Sequence, residues 1–315
     1  MTRQTFLLLA VLSLIAGCRS RVPGSPPAVC ALTLPAHLQH TSPETLPRSA
    51  WYELLFKGYR DGIAPEPVDC SGEPIAWAPL PASCVEGEAE ARELARQDKL
   101  SDDLLIVRHA GGDYWFGWAP FVVLDNGMSE GPLAIARNHE GKLEVRAIGN
   151  LRAYPRRARL EVRKLGREHI LVAEGESCDA RGSCARGTRL MWLDRQHFRV
   201  RPLRSATVRS CLGPAWFPQS EVIETHLGPR WRRALQHDVA LAYEDERILA
   251  DEHITVNDRD LDQASLPARL FREAQAQVRI TLKDGEFLSE GQSLWNAIRT
   301  EEGSTEARAS TPRVP

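Results

Sequence analysis

The densest run of side chains able to do chemistry is His109-Ala110-Gly111-Gly112-Asp113-Tyr114-Trp115-Phe116-Gly117-Trp118. It sets an imidazole and a carboxylate beside an aromatic stretch. Tyr114, Trp115 and Trp118 stack well on sugars and flat ligands, and the glycines leave room, so His109, Asp113, Tyr114, Trp115 and Trp118 define a candidate ligand groove. The same stretch also alternates: Tyr114, Phe116 and Trp118 share one face of a strand, and such a face serves a core as readily as a groove. His109 and Asp113 form the only cluster that could be nominated for hydrolysis, with further groups drawn from distant positions. Elsewhere no H-E-x-x-H, G-x-S-x-G, P-loop, dinucleotide fingerprint or S-x-x-K occurs, so no catalytic residue is assigned. The leading expectation is a non-catalytic structural or binding module, and the alternative is a hydrolase assembled from scattered residues.

Asp258, Asp260 and Asp262 have the odd-numbered spacing with which calcium loops begin. Gln263 stands where such a loop turns on Gly, and Arg269 where it closes on Glu, so an acidic turn is expected and no metal. The stretch Leu151 to Arg167 carries Arg152, Arg156, Arg157, Arg159, Arg163, Lys164 and Arg167 against Glu161 alone. It could meet anionic headgroups or an acidic partner. Glu244 to Asp262 is its opposite, with eight acids against Arg247 and Arg259. Cross-strand pairing or solvated faces account for both. Net charge is −2, which does not point to nucleic acid, and no cofactor is implied.

Seven cysteines punctuate the chain. Cys18 closes the run from Phe6 to Ala16, which is apolar apart from Ser13 and is roughly half the ~20 residues a membrane-spanning helix needs. Ile15-Ala16-Gly17-Cys18 resembles the lipobox of bacterial lipoproteins. The resemblance covers only the first 18 residues. It implies a signal peptide at 1–17 and diacylation of Cys18, whose two or three acyl chains hold a protein stably to a membrane. Residues 18–27, with Pro, Gly and Ser, read as a tether. The implied location is the bacterial envelope, with the outer membrane favoured because Arg19 rather than Asp follows the Cys. The implied partners are membrane lipid and an envelope protein or polymer.

Setting Cys18 aside leaves Cys30, Cys70, Cys84, Cys178, Cys184 and Cys211, an even number suited to three disulfides in an oxidising compartment. Neither C-x-x-C nor finger-spaced His is present, which argues against zinc. Sequence proximity favours Cys70 with Cys84 and Cys178 with Cys184, leaving Cys30 for Cys211.

The elements that must position these residues are mainly strands. Residues 28–100 read as Pro-rich coil packed on the body, with one surface helix at Glu86 to Lys99, rich in Ala, Glu and Arg. From 101 to 290 short β-rich runs alternate with turns such as Asp125-Asn126-Gly127. Period-2 patterns mark Leu143, Val145, Ala147; Val239, Leu241, Tyr243; Ile254, Val256; and Val278, Ile280, Leu282. A short helix near Trp295 and a polar tail fill 291–315. The expected fold is an antiparallel sandwich or open barrel, with a partial propeller as the alternative.

Overall fold

The computed structural model describes residues 27–60, 68–74, 84, 93–96, 100, 102–178, 184–263, 265–291, 293–295, 297–298 and 301. The expected signal peptide at 1–17, Cys18, the expected tether up to residue 26 and the residues after 301 lie outside the described residues. What is described is mainly β: one large mixed sheet that does not close, with one helix and an N-terminal coil. A single connected sheet replaces the separate blades of a propeller.

The strands are β1 (Cys30–Thr33), β2 (Glu93–Arg96), β3 (Ile106–Gly111), β4 (Tyr114–Trp118), β5 (Val122–Leu124), β6 (Ser129–His139), β7 (Lys142–Ala153), β8 (Arg156–Leu165) and β9 (Glu168–Cys178). There follow β10 (Cys184–Asp194), β11 (His197–Arg199), β12 (Pro202–Ser205), β13 (Cys211–Pro214), β14 (Trp216–Leu227), β15 (Trp231–Tyr243), β16 (Ile248–Asp260), β17 (Arg269–Lys283) and β18 (Glu286–Glu290). Antiparallel hairpins dominate. The exceptions are β11 beside β7 and β12 beside β18, which run parallel and make the sheet mixed. Its spine runs β6, β7, β11, β10, β14, β15, β16, β17, β18, β12, β13, with β9 and β8 branching from β10.

The helix forms elsewhere than expected. Arg48–Leu55 is α1, and its Trp51, Tyr52, Leu54 and Leu55 are buried with Phe121, Leu124, Leu143 and Val145. Of the span Glu86 to Lys99, Glu93–Arg96 is instead a strand, pairing antiparallel with β5. The rest of that span lies outside the described residues. Helix propensity of an Ala/Glu/Arg run is a fraction of a kcal/mol per residue, and an open strand edge offering backbone hydrogen bonds overrides it. At the C-terminal end Ile298 donates its N–H to the carbonyl of Leu294, a helical turn that carries Trp295 onto the sheet.

The disulfides correct two pairings. Cys30 is bonded to Cys70 and Cys84 to Cys211, with Cα–Cα distances of 6.1 and 5.0 Å, while Cys178 is bonded to Cys184 as proximity suggests. Neither the Cys70–Cys84 nor the Cys30–Cys211 bond exists. The cause is topological: β1 lies along β7 beside α1, and the bridge at Phe56 and Asp69 brings Cys70 back to that corner. Three bonded pairs indicate an oxidising, non-cytoplasmic compartment. No helix among the described residues is long and apolar enough to cross a membrane.

Candidate binding surface

The aromatic hairpin β3–β4 divides the residues nominated for a groove between two sides. Phe116 and Trp118 are fully buried and Tyr114 packs partly beside them on the core that includes Leu133, Leu151 and Leu171. Trp115, on the other face, packs against the α1 core. His109 is exposed; its Nε2 lies 2.9 Å from the Gly112 carbonyl, and its ring meets the edge of Trp115 at 4.9 Å. Asp113 is exposed at the turn. The hairpin therefore uses its aromatics for packing and its imidazole to close the turn.

The acidic triplet is not a turn as expected: Asp258 and Asp260 end strand β16, and only Asp262 lies in the turn after it. Arg233 makes a two-pronged contact with Asp258, at 2.7 and 2.8 Å, and Arg230 spans Asp260 and Asp262. Each of the three carboxylates is thus paired with a guanidinium. The basic run is split in the same way: Arg152 pairs with Glu130, Arg163 with Glu161, and Arg156 and Arg157 with Glu176.

Glu176 is the centre of a cluster of charge on this surface. Its side chain is 5 % exposed, and three guanidinium Nε atoms surround it: Arg157 at 3.2 Å, Arg186 at 3.4 Å and Arg156 at 3.6 Å. Strand register builds this arrangement. Arg156 on β8 and Arg186 on β10 are both direct partners of Glu176 on β9, so their side chains leave the sheet on one face. Arg157 joins from a bulge, held in a left-handed conformation at φ 51° that a non-glycine residue seldom adopts. Two residues along each strand, the Cys178–Cys184 bond pins the β9–β10 register. The cysteines and Glu176 lie close enough to suggest a metal group, but both thiols are consumed by the disulfide.

Across β15, β16 and β17 the sheet carries a shallow hollow of about 560 Å³ lined by Asp238, Ala240, Asp251, His253, Gln275 and Gln277. Two of its polar groups, Asp238 and His253, are already engaged by residues at its margin. Ser220 donates to Asp238 at 2.8 Å, Gln236 donates to the other Asp238 oxygen, and His253 Nε2 lies 2.8 Å from Glu273. A Ser, an Asp and a His are thus neighbours, with Asp238 accepting from Ser220 and Glu273 paired with His253, and no hydrogen bond among the described residues joins the serine to the histidine as a nucleophile–base relay requires.

On the neighbouring buried side, His237 stacks on Trp295 with ring centroids 4.7 Å apart and planes 13° from parallel. Both its ring nitrogens lack a hydrogen-bond partner among the described residues, and Glu252 Oε1 is 4.0 Å away. Desolvation lowers the His237 pKa to about 4, opposed by the negative charge of Asp238. Burial raises Glu252, whose carboxylate accepts the Leu294 N–H at 3.0 Å. Neither His237 nor Glu176 was a sequence candidate. The Arg-rich run did hint at the cluster, but one of its guanidiniums, from Arg186, and the central carboxylate come from strands further along the chain.

Comparison with protein-family models, with curated proteins and with solved structures finds no match for this chain.

Proposed function

We propose that this protein is a lipid-anchored lipoprotein of the bacterial envelope, held through acylated Cys18, that presents its open β surface to an envelope partner without catalysing a reaction. One observation carries the reading. Once Cys18 is set aside, every remaining cysteine is joined in a disulfide, so the chain keeps one thiol, and that thiol closes the lipobox-like sequence. An exported chain with a single unpaired cysteine at that position suits an acyl anchor. Binding over catalysis is supported by Ser220 and His253 being hydrogen-bonded to separate carboxylates, Asp238 and Glu273, rather than to each other, and by His109 closing its own turn. The envelope polymer or protein would meet a stapled, rigid sheet at the end of a tether.

The test is metabolic labelling with a fatty-acid analogue, followed by membrane fractionation. The expected result is label on the wild-type chain and recovery with membranes, with both lost in Cys18→Ser. A Cys18→Ser chain that is still cleaved after residue 17 and membrane-bound would overturn the anchor.

A further inference from the structure

From the four charged groups at the β8–β9–β10 junction, we infer that Arg156, Arg157 and Arg186 form a binding site for a phosphate group. The inference goes beyond the anchored-module reading and does not depend on Cys18. Three cations surround one carboxylate, so the cluster carries a surplus of two positive charges. Each arginine meets Glu176 through Nε, and its two Nη groups have no further partner among the described residues. The side chains are 60, 71 and 58 % exposed, while Glu176 is at 5 %, so the carboxylate sits at the floor and the donor forks reach into solvent.

This differs from scattered surface charge in how it is held. A buried carboxylate orients three guanidiniums in advance, and the cross-strand register fixes two of them. The disulfide beside them prevents that register from slipping. The strained backbone at Arg157 brings in the third, and strain of this kind is retained where the side chain it aims has work to do. Planar forks with paired donors match the oxygens of a tetrahedral oxyanion, which is why arginine rather than lysine builds such sites. The next acid along β9, Glu174, stands opposite Arg159 in the register. The phosphate could be a free monoester or the diester of a lipid headgroup.

The experiment is calorimetric titration of the full chain in a neutral detergent with inorganic phosphate, glycerol 3-phosphate and glycerophosphoglycerol, the last being a phosphatidylglycerol headgroup without its acyl chains. Saturable binding of at least one probe is expected. Preference for the diester assigns a headgroup, and preference for inorganic phosphate or the monoester assigns a free phosphate compound. Affinity should fall about tenfold or more in Arg157→Ala/Arg186→Ala, and several-fold in Arg157→Lys/Arg186→Lys, which keeps the charge and removes the forks. The lysine variant, with circular dichroism unchanged, guards against misfolding of the alanine one. Absence of saturable binding to all three probes, or equal affinity in the wild type and the lysine variant, would overturn the inference.

Discussion

At the scale of single residues, the buried imidazole of His237 makes a pH-dependent demand on stability. Its pKa is about 4 in the folded protein against 6.5 when unfolded. Between those values the unfolded chain takes up a proton that the folded chain does not, so stability is lost as pH falls from about 6.5 to about 4 and levels off below. Glu252, raised by burial, acts in the opposite direction, because the folded state holds its proton to higher pH than the unfolded state does. A substitution isolates the histidine. His237→Phe keeps a flat ring against Trp295 and removes two nitrogens that lack partners. Its stability relative to wild type should therefore rise by about 2–3 kcal/mol between pH 7 and pH 4. Urea midpoints of the two proteins across that range check it; a constant difference would show that His237 does not titrate as its burial demands.

At the scale of elements, α1 meets β4 through one glycine. Gly117 stands where a Cβ would lie 2.3 Å from the Trp51 ring, and Trp51 is fully buried with its Nε1 donating to the Pro43 carbonyl at 2.9 Å. The missing side chain is therefore what lets the helix lie down on the sheet. Gly117→Ala is expected to destabilise by about 1–3 kcal/mol through overpacking. Trp51→Leu alone should cost about 2–5 kcal/mol in lost burial. The double variant should be more stable than the sum of the two, because the alanine then occupies space that the indole has vacated. Strict additivity in denaturant melts would mean that the helix and strand do not touch at this point.

At the scale of the whole molecule, two of the disulfides tie segments distant in the chain, and the third closes the end of the β9–β10 hairpin. Cys84–Cys211 spans 127 residues, Cys30–Cys70 spans 40 and Cys178–Cys184 spans 6. In the chain-entropy model these closures restrict the unfolded chain by about 5, 4 and 2 kcal/mol respectively. Paired Cys→Ser variants should lose stability in that order, and peptide mapping of unreduced protein should recover those three linkages. Recovery of a Cys70–Cys84 peptide would contradict the fold at its N-terminal corner, because β1 on β7 would lose its tie to the chain after α1.

Sequence alone determined the class of this protein and the centres of its strands. Alternation at Leu143, Val145 and Ala147, or at Val278 and Ile280, follows from one buried face, and those residues are buried. It could not set strand length. The outer parts of β14 to β17 carry Glu224, Arg232, Asp258 and Arg272, polar on both faces, where pairing rests on backbone hydrogen bonds and cross-strand ion pairs that leave no hydrophobic period. The helix was misplaced for a related reason: the ELAR segment has helical composition but meets a free strand edge, while Arg48–Leu55 is helical because its apolar side finds a core to cover. The even number of cysteines beyond Cys18 pointed to disulfides, but which sulfurs met depended on where β1 and the Cys84 segment came to rest. The charge clusters show the same division. That Arg156 and Arg157 are basic is legible in the chain; that they converge with Arg186 on a buried Glu176 is a product of register, since only the folded sheet brings three strands to one carboxylate.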